Sequence, residues 1–140
     1  MTTGFGRALT RVHRGPLLRY EGYRTRFLGA LGILPTRERL RFLEGWARAE
    51  GGTARFNAFN TTYAVVGSTR YNDVGVRNYE DAEMGIAATV LTIRLPYYDH
   101  LVAALRAPGL SAEEICRQGG QDLNTWGTGA SNVRRNLRPK

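Results

Sequence analysis

The sequence predicts a mostly α-helical fold with a small β element, an α+β arrangement. Apolar residues recur at helical spacing through residues 36–50 and again through 82–95. The stretch between, residues 53–79, is instead rich in Asn, Thr, Gly, Tyr and Val, and helix-start signals return after Pro96. With 140 residues, 42% of them apolar, the chain can bury a core of its own.

In chain order, residues 1–15 read as a basic arm, 16–129 as one domain, and 130–140 as a basic tail expected to be mobile. Leu17 to Leu31 is predicted helical, packing through Leu17, Tyr20, Phe27, Leu28 and Leu31, with Gly32 and Pro35 interrupting. Thr36 then stands as an N-cap and Gly51-Gly52 as a stop. On a wheel of about 100° per residue, Leu40, Ala47, Leu43, Trp46 and Phe42 share one broad apolar face. Arg37, Arg41, Glu44 and Arg48 fall opposite, with Glu44 and Arg48 spaced for an i,i+4 pair. Tyr63–Val66 and Val74–Tyr79 are predicted strands, with turns at Gly67-Ser68 and Asn72-Asp73. Met84, Ala87, Ala88, Leu91 and Leu95 form the next helical stripe, behind the first-turn acids Glu80, Asp81 and Glu83. Pro96 breaks it, Tyr97–Leu105 follows as a short helix, and Ser111-Ala112-Glu113-Glu114 is a capping box for another, to about Gln118.

Composition removes several function classes. No apolar run reaches the ~18 residues of a membrane span, and Met1–Leu18 lacks the apolar centre of a signal peptide. Cys116 is the single cysteine, so no intramolecular disulfide forms, and its place in a helical pattern predicts a buried thiol. One Cys with His13 and His100 makes no zinc cluster, and no metal or cofactor is implied. Nothing orders either histidine toward a serine, and His100 is expected on a helix surface. Gly4-Phe5-Gly6 has no strand–helix unit around it and is no dinucleotide fingerprint.

The net charge is +8, almost all of it arginine, and it gathers at the ends. Arg7, Arg11, Arg14, Arg19, Arg24 and Arg26 face Glu21 alone in residues 1–26; Arg134, Arg135, Arg138 and Lys140 have no acid beside them. Two readings stand. The ends keep the chain soluble, or they meet an anionic partner such as a wall polymer, acidic lipid or nucleic acid. No DNA-reading motif accompanies the charge.

Glu50 lies within the apolar face, between Leu43 and Trp46 on the wheel. Desolvation there, and the helix C-terminus, both disfavour its charge and should raise its pKa above about 4.3. A carboxyl kept protonated in this way can act as a general acid, the tuning for which lysozyme is the worked case. The competing reading is a Glu that pairs with an arginine such as Arg55 or reaches solvent at the helix end. Asn57-Ala58-Phe59-Asn60-Thr61-Thr62 is dense in amides and hydroxyls suited to sugar hydroxyls, and Phe56, Phe59, Tyr63, Tyr71 and Tyr79 offer faces for stacking. Alone, these also fit a polar turn with core aromatics.

Taken together, Trp46-Ala47-Arg48-Ala49-Glu50-Gly51-Gly52, Asn57, Asn60-Thr61-Thr62, Gly75-Val76-Arg77-Asn78-Tyr79, Gly85-Ile86-Ala87-Ala88-Thr89, Tyr98 and Trp126-Gly127-Thr128-Gly129 carry a resemblance. Over residues 35–129 the chain resembles small phage and prophage proteins of the lysozyme-like superfamily, and is similar to lytic transglycosylase and glucosaminidase domains. The resemblance implies a lysozyme-like fold with a cleft between the Glu-bearing helix and the β region. It implies that Glu50 is the acid, that Asn57, Asn60 and Thr61 serve substrate binding, and that Tyr79 faces the acid. The implied substrate is the peptidoglycan glycan strand, cut by hydrolysis or transglycosylation. The alternative it carries is a non-catalytic virion part that contacts other virion proteins. Without a signal peptide, the chain would be made in the cytoplasm and carried or released to the wall.

Hydrolysis with a second carboxylate needs one about 5–9.5 Å from the acid. Between Gly51 and Tyr79 that residue can only be Asp73, whose Asn72-Asp73 turn also fits a purely structural role.

Overall fold

A computed structural model describes residues 22–139, and they form seven α-helices and one two-stranded antiparallel sheet. The predicted arm, residues 1–15, and the start of the first predicted helix lie outside the described residues. No helix among the described residues is long and apolar enough to cross a membrane.

Helix α1 (Tyr23–Ala30) buries Tyr23, Phe27 and Leu28. Helix α2 (Arg37–Glu50) begins and ends where its caps dictate. The Thr36 hydroxyl accepts from the Arg39 N–H at 3.3 Å, and Gly51, at φ 57°, takes the left-handed C-cap that a Cβ would disfavour. Phe42, Leu43, Trp46 and Ala47 are buried as the wheel requires, and the Glu44–Arg48 pair forms at 3.3 Å. Arg41 departs from the expected exposed face. It is buried against Glu38, Glu113 and the Arg138 carbonyl, and these partners hold its charge and push its pKa up against the cost of burial. The same ion pair holds the Glu113 carboxyl below its ordinary range.

The β element is smaller than predicted. Strands β1 (Thr69–Arg70) and β2 (Arg77–Asn78) pair with Thr69 opposite Asn78 and Arg70 opposite Arg77. Tyr63–Val66 is not a strand: Ser68 folds back on it, its hydroxyl donating to the Val65 carbonyl and accepting the Val65 N–H. Both predicted turns are present.

Helix α3 (Ala82–Ile93) starts on the Asp81 side chain, which accepts the Met84 N–H at 2.8 Å. Its buried face differs from the expected stripe. Ile86, Ala88, Thr89, Val90 and Ile93 point inward, whereas Ala87, Leu91 and Leu95 are exposed. The reason is Gly85, where an added Cβ would come within 1.9 Å of the Phe56 carbonyl oxygen. The helix presses its glycine, not a leucine, against the loop before the sheet.

A 3-10 turn (Pro96–Tyr98) leads into α4 (Asp99–Arg106), and α5 (Ala112–Gln118) begins with the predicted capping box. Cys116 is buried, its thiol donating to the Ala130 carbonyl at 3.3 Å and its pKa raised by burial. His100 sits on the surface of α4, 3.5 Å from the buried Asp122.

Two further helices, α6 (Gly120–Trp126) and α7 (Ala130–Arg135), were not legible in the spacing. The expectation of a mobile basic tail is corrected here. Val133 is fully buried, and Leu137 lies so close to Gly45 that a Cβ there would meet its side chain at 2.5 Å. Arg41 and Arg48 of α2 donate to the Arg138 and Asn136 carbonyls, and Asn132 donates to the Ala49 carbonyl. The apolar side chains of Val133 and Leu137, with the carbonyl of Asn136, therefore act as an anchor among the arginines. Deleting residues 130–140 is expected to cost at least about 3 kcal/mol, from one buried aliphatic side chain and hydrogen bonds left unmade. Urea unfolding of the truncated chain measures it, and unchanged stability would show that the segment is only appended.

Candidate functional site

The C-terminal end of α2 opens onto a cleft of about 650 Å³. One wall is the loop and hairpin, contributing Thr53, Asn60, Thr62, Tyr71, Asn72 and Val74; the other is Trp126–Thr128 and Asn132. Glu50 stands at the junction, half-buried.

Three side chains converge on its carboxyl. The Trp46 indole N–H, one turn back on α2, donates to Oε2 at 3.2 Å. The Asn60 amide donates to Oε1 at 3.0 Å and to the Glu50 carbonyl at 3.1 Å. The Thr128 hydroxyl donates to Oε2 from the far wall. Among the described residues no arginine pairs with Glu50; the Arg55 guanidinium lies 5.8 Å over the Phe56 ring. Burial raises the Glu50 pKa, and the donors from Thr128, Asn60 and Trp46 oppose that rise without cancelling it.

Asn60 reaches this position because its backbone is left-handed, at φ 57°. Asn tolerates that conformation better than most residues, and the two bonds to Glu50 hold it there. Phe56, at φ 53°, bends the same loop. The loop also approaches Gly52 so closely that a Cβ there would lie 2.8 Å from Asn60 Oδ1.

Only part of the expected site assembles on the cleft. Glu50 and Asn60 meet. Asn57 does not face it: its buried amide donates to the Thr61 and Arg77 carbonyls, both at 2.8 Å, and accepts the Thr61 N–H. It splints the loop to β2. Thr61 is buried with its hydroxyl on that of Thr92. Tyr79 is fully buried, donates to the Tyr63 carbonyl at 2.6 Å, and its phenol is pushed up to about 12 by burial. These three are the loop's scaffold, and no ligand reaches them in this arrangement. Asp73 is exposed in the turn between Asn72 and Val74, which line the cleft, while its own side chain does not.

The missed residues are Thr128, Trp126 and Asn132, while Tyr71, one of the expected stacking faces, does line the cleft. Trp126 is wedged between Trp46, at 5.0 Å edge-on, and Tyr98, at 4.9 Å, and its N–H donates to the Phe59 carbonyl at 2.7 Å. The signal for this wall was present in Trp126-Gly127-Thr128-Gly129, where glycines flank a lone hydroxyl after a tryptophan.

Chemically, the site is one carboxyl of raised pKa facing a cleft with no second carboxylate among the described lining residues. Tyr71 is the other titratable side chain on that lining. No group of three His, Cys, Asp or Glu residues is gathered for a metal among the described residues. Compared with protein-family models, characterised proteins and solved structures, the chain matches none.

Proposed function

We propose that this chain is a lysozyme-like protein that cleaves the glycan strand of peptidoglycan, with Glu50 as acid and then base. The observation that carries the reading is a single carboxyl of raised pKa at the head of a polar cleft. Hydroxyls and amides from Thr53, Thr62, Asn72 and Asn132, with the aromatic rings of Tyr71 and Trp126, suit a sugar chain.

The proposed chemistry follows from having one carboxyl. Protonated Glu50 gives its proton to the glycosidic oxygen, and the bond from that oxygen to C1 breaks. The resulting carboxylate takes the proton of the substrate's own C6 hydroxyl, whose oxygen closes onto C1. The product is a 1,6-anhydro sugar, as the resemblance to lytic transglycosylases implies. A carboxylate nucleophile or a water-activating base would need a second acid near the cleft.

The rival reading is a non-catalytic part of a phage particle. The observation in its favour is that donors already occupy the Glu50 carboxyl. A zymogram on purified peptidoglycan separates the two. Wild type and Asp73→Asn are expected to clear it while Glu50→Gln does not. Clearing that survives Glu50→Gln, or is lost in Asp73→Asn, would contradict the single-acid mechanism; no clearing by wild type favours the structural part.

A further inference from the structure

Helix α6 ends at Gly127, with φ 117°, and α7 begins after Gly129, with φ 87°. Thr128 therefore hangs between two backbone positions that L side chains rarely adopt. The arch is closed behind it by Asn124, whose side chain accepts the Ala130 N–H at 2.9 Å. Its hydroxyl crosses the cleft to Glu50 Oε2, where the Trp46 N–H also arrives.

The three partners of the carboxyl are not equivalent. An indole N–H and an amide NH₂ can only donate; a hydroxyl both donates and accepts. When Glu50 is ionised, all three donors are satisfied. When Glu50 carries its proton, the Thr128 hydroxyl can turn a lone pair to receive it, whereas Asn60 would have to flip its amide and give up its bond to the Glu50 carbonyl. Thr128 is also the partner that lines the cleft from the opposite wall, where a bound chain must lie.

Resting on the reading of Glu50 as the acid, we propose that Thr128 is the positioning residue of this site. Its hydroxyl accepts the Glu50 proton while the acid is idle, aims Oε2 into the cleft, and yields that place to the substrate oxygen. Among the described residues the side chains hydrogen-bonded to the Glu50 carboxyl are all uncharged. Arg48, on the same helix, is turned to the Asn136 carbonyl, Arg134 and Arg135 of α7 are exposed, and Tyr71 is the titratable group on the facing loop.

The test is a carbon-13 NMR titration of the Glu50 carboxyl in the full chain, assigned with Glu50→Gln, for wild type, Thr128→Val, Thr128→Ala and Thr128→Ser. The charge-assisted bond that Thr128 gives the ionised form is stronger than the bond it accepts from the neutral form, so losing both should move the midpoint up by about one unit in the Val and Ala variants. Thr128→Ser should restore the wild-type midpoint. In a peptidoglycan assay, the loss of activity at high pH should move upward by the same amount, because the acid form persists longer. A midpoint unchanged in both Val and Ala variants, or not restored by Ser, overturns the proposal even if wild type cleaves glycan. If wild type cleaves nothing yet the midpoint moves and Ser restores it, the Thr128 contact stands and the glycan reading falls.

Discussion

Glu50→Gln is expected to lower glycan cleavage by at least about 100-fold, the range for removing a positioned general acid. Its effect on stability should be small and should depend on pH in a defined direction. The folded-state pKa of Glu50 is raised above its unfolded value by burial. The stabilisation linked to this group is therefore fully present below about pH 4.3, the ordinary value for Glu, and is lost as pH rises through the folded pKa. Gln has no proton to lose, so the variant should gain on wild type across that window and hold a constant difference above it. Thermal unfolding of both proteins from pH 4 to 8 measures the effect. Glu113 works the other way in both, since its lowered pKa gives stability that is lost in acid, and it cancels in the comparison. A variant that loses stability relative to wild type as pH rises would mean that the donors from Thr128, Asn60 and Trp46 outweigh burial.

Gly85→Ala is expected to be the most damaging small substitution. The new methyl would meet the Phe56 carbonyl oxygen at 1.9 Å and its carbon at 3.0 Å, both backbone atoms that cannot rotate away. Helix α3 or the loop must move, at a cost of about 3 kcal/mol, the upper part of the range for overpacking. In a chain of 140 residues this corresponds to a fall in Tm of roughly 10 °C. Because Phe56 begins the loop that delivers Asn60, binding of chitooligosaccharide should weaken even where the variant is folded. Gly29→Ala, on α1 with open space around it, is the control and should be neutral or mildly stabilising. Equal Tm values for the two variants would show that α3 and the loop are not in the contact described.

The helices with caps and a clear apolar face were readable. Thr36 and Gly51 bound α2, and the Ser111–Glu114 box starts α5, because these signals act within one turn of backbone. Glu50 was readable for the same reason: its place on the wheel fixes its neighbours. The face of α3 was not, since hydrophobicity alone ranks Leu91 above Gly85 and the decisive fact is a contact with a loop 29 residues earlier in the chain. The same applies to the C-terminal segment. Its four basic residues dominate its composition, while Val133 and Leu137, which dock it, count for little until Gly45 is known to face them. At the site, Asn57, Thr61 and Tyr79 have the chemistry of sugar-binding groups, but the loop uses that chemistry on its own backbone. Residue type cannot distinguish an amide that meets a ligand from one that replaces missing strand hydrogen bonds in a sheet of only two short strands.

The central claim is that one carboxyl cuts a glycan strand without a second. Mass spectrometry of the soluble fragments that the wild-type chain releases from purified peptidoglycan tests it most directly. The predicted result is muropeptides ending in 1,6-anhydro sugars. Fragments with reducing ends, fragments cut only in the peptide, or no release at all would contradict it.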